Sequence, residues 1–174
     1  MTRTTIAVTD STLRFRWIGT RYGRLLVAGD REGLRSIAFA REGRRTAPET
    51  DWIEDDGFLQ GAVDQLVAYF AGDLQEFELK LAPRGTEFQI AVWEAVAAIP
   101  YGTTTSYGQV AAEIGRPAAV RAVGAANGAN PLPIVIPCHR VIGSNGKLTG
   151  YGGGLDLKAS LLELESSTVN PSLF

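Results

Sequence analysis

Ser106-Tyr-Gly-Gln-Val-Ala-Ala-Glu-Ile-Gly-Arg-Pro-Ala-Ala-Val-Arg-Ala-Val-Gly-Ala-Ala-Asn-Gly128 spells two short helices with a tight turn between them. Ser106 and Gln109 stand at capping-box spacing, where hydroxyl and amide each satisfy a free backbone N–H. Val110 and Ile114 point inward, and Gly115 ends the first helix. Proline suits the first helical position. The second helix is therefore expected from Arg116-Pro117 through Ala118, Val120, Ala122, Val123 and Ala126 to about Gly128. A pair of this form is a helix-turn-helix, or an ordinary helical hairpin that never touches DNA. Its second member is nearly bare: Ala118, Ala119, Ala122, Gly124, Ala125, Ala126 and Gly128. That suits close packing on a neighbour or close approach to a groove. Arg121 is its one long cationic side chain, either a surface residue or a filler of the stack where a base has left.

Upstream, Thr86-x-x-Gln89 repeats the capping box, and its helix runs through Phe88, Val92, Ala95 and Val96 to Ile99, where Pro100 stops it. Ala82-Pro-Arg-Gly85 marks a boundary. Before it, Leu13–Ile18, Arg24–Ala28 and Leu34–Phe39 read as consecutive antiparallel strands punctuated by Gly23, Gly29 and Gly33. Residues 41–56, including Arg44-Arg45, read as a solvated loop. Phe58 to Phe70 keeps helical spacing, and Phe77, Leu79 and Leu81 alternate as a strand. Leu155–Glu165 reads as a closing amphipathic helix. The expectation is an α+β protein. Residues 1–82 form a small N-terminal antiparallel sheet with a helix. Residues 86–165 form a mostly helical, winged-helix-like domain, and 166–174 a loosely packed tail.

Of 174 residues, 45% are hydrophobic and 21% charged, as in ordinary globular proteins. One cysteine forms no internal disulfide and suits a reducing cytoplasm. One Cys and one His cannot supply a four-ligand zinc site. Met1–Asp10 lacks the apolar run of a signal peptide, and no run approaches a membrane span. Net charge is −2, but unevenly spread: −3 over residues 1–100 and +3 over 101–160. A nucleic-acid partner would meet the later segment.

The single cysteine and single histidine are adjacent, in Pro137-Cys-His-Arg140. The pair reads as a nucleophile with its base, or Cys138 as a small buried hydrophobe. Pro131, Pro133 and Pro137 stiffen the approach, and Asn130 suits a tight turn. Beyond lies Gly143 to Gly154, half of it glycine, a loop that lets backbone approach a flat ligand or is simply flexible. Tyr151 suits the wall of a base-sized pocket. A carboxylate behind His139 would complete a Cys-His-acid relay, and spacing leaves Glu163 and Glu165 equal.

With Pro-Cys-His-Arg-Val, the upstream Asn-Pro-x-Pro, the Arg-Ala-Val-Gly helix and the Tyr-Gly-Gly-Gly loop in this order, the chain resembles the O6-alkylguanine-DNA alkyltransferases, also called methylated-DNA–protein-cysteine methyltransferases. The likeness spans Thr86 to Glu165. It implies direct reversal of damage in double-stranded DNA: the alkyl group of O6-alkylguanine, and of O4-alkylthymine, moves irreversibly to Cys138 after the nucleotide is flipped through the minor groove. It implies that His139 takes the thiol proton through a water, leaving the sulfur poised as an anion, and that Glu165 orients His139. Asn130 would brace the turn beside the thiol. Tyr107 would press on the phosphate beside the target nucleotide and donate to the departing base. Arg121 would replace the flipped guanine, with Ala119, Ala122 and Gly124 on the DNA face. Backbone groups of Cys138, Val141 and Gly152 would read the base, with Tyr151 as a wall. Gly152 stands where some relatives have serine. No cofactor and no metal are implied, and a cytoplasmic monomer, cooperative on DNA or not, is expected. The rival readings are a Cys-His-Glu thiol hydrolase and a non-catalytic DNA-binding module.

Overall fold

The computed structural model describes residues 12–40 and 47–169. The alternating runs form antiparallel strands β1 (Arg14–Thr20), β2 (Gly23–Asp30) and β3 (Gly33–Phe39). A two-residue strand, β4 (Ile53–Glu54), adds parallel to β1, giving the order β3-β2-β1-β4. It lies where a solvated loop was expected. Two residues show no alternation, and the strand is held by the Ile53 N–H on Leu13 O just before β1, by the Asp55 N–H on Phe15 O within it, and by an Arg14–Asp55 ion pair. Arg44-Arg45 and Met1–Asp10 lie outside the described residues.

Helix α1 (Gln60–Ala71) lays Val63, Leu66, Tyr69 and Phe70 into a core shared with Ile18, Leu25, Val27 and Ile37 of the sheet. The expected strand at Phe77–Leu81 does not form. Within it only Leu81 makes a bridge, to Leu34, and residues 77–80 belong to no strand. Its alternation arises because Phe77, Leu79 and Leu81 pack against the core without a continuous ladder.

Both capping boxes are complete. Thr86 and Gln89 cap α2 (Glu87–Ala97), and Ser106 and Gln109 cap α3 (Tyr107–Glu113), which follows β5 (Thr105–Ser106). Helix α4 (Val120–Gly128) begins later than expected. Arg116–Ala119 instead forms a turn closed by the Ala119 N–H on Arg116 O at 2.8 Å. Proline is as well suited to the second position of a β-turn as to a helix start. Strand β6 (Val141–Ile142) pairs parallel with β5 and was too short to read. Helix α5 (Leu155–Val169) continues past Glu165, so residues 166–169 are helix rather than loose tail. The Ser167 and Thr168 hydroxyls, bonded back to Leu164 O, satisfy a carbonyl of this last turn. Residues 170–174 lie outside the described ones.

One continuous core joins the two halves. Val92 and Val96 of α2, Val110 of α3, Val123 of α4 and Leu161 of α5 are fully buried with Leu25, Val27 and Leu66. Trp93 Nε1 donates to Ala126 O at 2.8 Å, tying α2 to α4. The Ile37 N–H of edge strand β3 donates to Pro131 O at 2.8 Å, tying the sheet to the segment that leads to Cys138. Among the described residues no helix is long and apolar enough to cross a membrane.

Candidate active site

Asn130 spans the proline-rich turn. Its Oδ1 accepts from the Leu132 N–H at 2.9 Å, and its Nδ2 donates to Ile136 O at 2.8 Å. Within that turn Ile134 adopts φ 80°, a left-handed conformation that β-branched residues rarely take and that stores strain. It is held there by near-complete burial and by the Ile136 N–H on Leu132 O at 2.8 Å. The chain then enters a single 3-10 turn, Cys138–Arg140.

Cys138 is 5% exposed, and that remnant faces a cleft of about 270 Å³. Ser36–Phe39 of β3, Asn127 and Gly128 of α4, Asn130, Pro131, Pro133 and the Gly150–Gly153 loop line it. Burial pushes the thiol up to about 11, against the opposing pull of the Asn130 side chain and the Lys158 charge. The resting sulfur is therefore a thiol. This corrects the expectation of a standing anion: the low-dielectric wall outweighs the neighbouring donors.

His139 is fully buried, with Nε2 2.7 Å from Glu165 Oε1. Glu163 is exposed on the other side of α5, so the structure decides between the two carboxylates. Glu165 receives five donors. Tyr69 O–H at 2.7 Å, His139 Nε2 and Arg140 Nη2 at 2.9 Å reach Oε1; Arg140 Nε at 2.9 Å and the Gly102 N–H at 3.1 Å reach Oε2. Burial alone would raise this carboxyl, but the bonds from His139 and Arg140 bring it down to about 2. An ionised carboxylate only accepts, so Nε2 carries the imidazole hydrogen and Nδ1 the lone pair. Nδ1 is buried with no hydrogen-bond partner among the described residues. Burial lowers the His139 pKa although Glu165 opposes it, so the imidazole is neutral near pH 7.

Several contributors escaped the sequence reading. Tyr69, in the first half, sits inside the apolar stripe of α1 and nothing in its spacing marks it. Arg140 lies within the Pro-Cys-His-Arg run and clamps Glu165 while its Nη1 donates to Ile99 O at 2.6 Å. Gly102 needs φ 73°, and a Cβ there would meet Val169 Cγ2 at 2.7 Å. Lys158 is fully buried, and its Nζ donates to Val141 O at 2.6 Å and Thr149 O at 2.8 Å. A lysine three residues before Leu161 on an apolar stripe was the signal available for it. Asn127 lines the cleft and donates from Nδ2 to Cys138 O at 3.3 Å.

Cys138, Asn130, Tyr151 and Gly152 meet at the cleft. The Tyr151 ring stands edge-on to His139 at 6.5 Å, its hydroxyl buried without a partner among the described residues. Val141 does not line the cleft. Its side chain points into the core from β6, and Lys158 engages its carbonyl. Tyr107 also stands apart from that lining. Its ring lies 3.9 Å from the position a Cβ on Gly124 would take, and its hydroxyl donates to Thr149 O at 3.2 Å. Arg121 and Ala122 are exposed on the outer face of α4, with Ala119 at its N-cap.

A cleft that ends on a thiol, with a neutral imidazole oriented by a fixed carboxylate, is the architecture of a thiol-dependent enzyme. The family model for the DNA-binding domain of 6-O-methylguanine DNA methyltransferase matches residues 87–167, and that for its ribonuclease-like domain matches 13–83. A methylated-DNA–protein-cysteine methyltransferase of Methanosarcina acetivorans is 54% identical over 145 residues, 83% of this chain and 93% of the relative. One of Mycobacterium bovis is 52% identical over 155 residues, covering 89% and 93%. The crystal structure of Mycobacterium tuberculosis OGT in complex with DNA matches with TM-score 0.82 at 52% identity, covering 89% of this chain and 94% of that one. The chain belongs to the methylated-DNA–protein-cysteine methyltransferase family, enzymes that repair DNA by moving a methyl group onto a cysteine.

Proposed function

We propose that this chain reverses alkylation damage in duplex DNA by taking the alkyl group of O6-alkylguanine onto Cys138, once per molecule and without a cofactor. The observation that supports it most is the chain's only thiol, set at a cleft and followed directly by an imidazole that Glu165 orients. The exposed face of α4 docks against DNA, as a DNA complex is known for the mycobacterial relative. The positive balance of residues 101–160 favours that face. The target nucleotide turns out through the minor groove, which costs a few kcal/mol and less for a weakened pair. Tyr107 presses on the neighbouring phosphate and Arg121 fills the stack.

His139 Nδ1 then takes the thiol proton through a water. Sulfur attacks the alkyl carbon, forming S–C as C–O6 breaks. The electron pair passes to guanine, and the proton that His139 accepted passes through solvent to the base, with the Tyr107 hydroxyl as a hydrogen-bond donor. The net change is alkyl to sulfur and one proton from thiol to base. A thioether lacks the activated carbonyl that lets water release a thioester, so the protein is spent. Backbone groups of Cys138 and Gly152 read the base, with Tyr151 as a wall. O4-alkylthymine is a second substrate, and the acting form is a cytoplasmic monomer.

A titration tests this. With excess duplex carrying O6-methylguanine, repaired base is expected to stop at one equivalent per protein. Product that continues past one equivalent contradicts the proposal and favours hydrolysis through a thioester.

A further inference from the structure

Tyr69 comes from α1 in the first half of the chain, yet its hydroxyl ends at the carboxylate behind His139 in the second. The residue is fully buried. Phe70, Phe77 and Tyr101 pack around its ring, with centroids 5.6, 5.5 and 6.1 Å away, which fixes the aim of the hydroxyl. Such an apolar setting would hold a phenylalanine equally well. The hydroxyl donates to Glu165 Oε1 at 2.7 Å, the same oxygen that His139 Nε2 meets at 2.7 Å. It also stands 3.4 Å from Nε2 itself. Burial and the charge of Glu165 push the Tyr69 hydroxyl far above its ordinary value, so it stays a donor at every working pH.

Two donors on one oxygen compete for its charge. A carboxylate 2.7 Å from a buried imidazole favours the imidazolium, which has no lone pair on Nδ1 for the thiol proton. His139 is faced by Glu165 and Lys158 of α5, by Cys138 and Arg140 of its own turn, by Tyr69 of α1 and by Tyr151 of the glycine loop. Among them Glu165 favours the charged ring, and Arg140 and Lys158 oppose it. Tyr101 meets Tyr69 edge-on. Resting on the repair reading above, we infer that Tyr69 is a positioning residue of the proton relay: it shares Glu165 Oε1 with His139 and so keeps the imidazole a neutral base. The first half of the chain thereby serves the chemistry through one hydrogen bond, in addition to its share of the core.

The chain has one histidine, so nitrogen NMR of protein labelled at histidine reads this imidazole without ambiguity. Its titration midpoint and its Nε2–H proton shift are compared for the native protein and Tyr69→Phe. The first-order rate of methyl transfer from duplex carrying O6-methylguanine, at saturating DNA, is followed across the same pH range. Tyr69→Phe is expected to raise the midpoint by about one pH unit and to move the acid limb of transfer up with it. The Nε2–H proton is expected to shift downfield as its bond to Oε1 strengthens. A hydroxyl that serves only folding lowers the melting temperature and leaves midpoint, limb and proton shift unmoved, which overturns the inference. A fall in the midpoint does the same. If Tyr69→Phe does not fold, difluorotyrosine inserted at position 69 carries the test. It is the stronger donor, so the Nε2–H proton must shift upfield, and an unmoved or downfield proton is equally fatal. A native protein that takes no methyl removes the repair reading instead, and the imidazole signals still decide the role of Tyr69.

Discussion

Glu165 organises the site at the scale of single residues. Five donors from Tyr69, Gly102, His139 and Arg140 saturate one carboxylate. It therefore orients His139 and does not itself take up a proton, because a group held at about 2 is a poor base at pH 7. The sulfur it serves is quiet at rest. A thiol at about 11 is almost wholly protonated at neutral pH, which makes it a poor nucleophile toward stray electrophiles. Native protein is expected to react slowly with iodoacetamide at pH 7–8, with the rate rising through a midpoint near 11. Fast labelling with a midpoint below 8 contradicts a buried, protonated Cys138. The Cys138–His139 pair was legible because neither residue type occurs elsewhere in the chain. Tyr69 was not, because a tyrosine that packs its ring in an apolar stripe and sends its hydroxyl elsewhere looks like any core aromatic.

Helix α4 does two jobs on two faces. Val123, Ala126 and Asn127 face the core and cleft, while Arg121 and Ala122 face solvent. Arg121→Ala is expected to slow repair of duplex DNA about 10-fold or more while sparing transfer from the free modified base, since only the duplex has a stack to fill. Parallel assays on the two substrates check this, and equal slowing on both removes Arg121 from the helix. Elements with a local code were readable. The capping boxes at Thr86 and Ser106 and the alternation of β1 to β3 depend on neighbours in sequence. Strands β4 and β6 depend on partners 39 and 36 residues away, Ile53 on Arg14 and Val141 on Thr105, and two residues carry no periodicity. Pro117 misled because the same ring geometry suits a turn and a helix start.

Among the described residues the larger hydrophobic cluster spans both halves and is crossed by a polar seam. Tyr69 reaches from the first half to Glu165 in the second, and Leu25, Leu66, Val92 and Val110 share one cluster. The seam makes stability depend on pH. The Glu165 carboxyl sits below its ordinary 4.5 in the fold, so its contribution is complete above 4.5 and is lost as pH falls toward about 2. His139 is lowered from 6.5, so the unfolded chain binds a proton that the fold refuses, and loss begins below about 6.5. Both act in the same direction. The melting temperature is expected to fall steadily from pH 6.5 to pH 3, with Glu165 alone worth on the order of 3 kcal/mol at full loss. Thermal melts across that range check it, and a flat profile contradicts the buried seam.

The central claim is that one methyl group ends on one sulfur. Intact mass spectrometry of the native protein, mixed with an oligonucleotide duplex carrying O6-methylguanine and followed by peptide mapping, reads this directly. The expected result is a gain of one CH2, located on the peptide that contains Cys138, with no further gain at any excess of DNA. Repaired guanine with an unchanged protein mass, or methyl on any other residue, would contradict it.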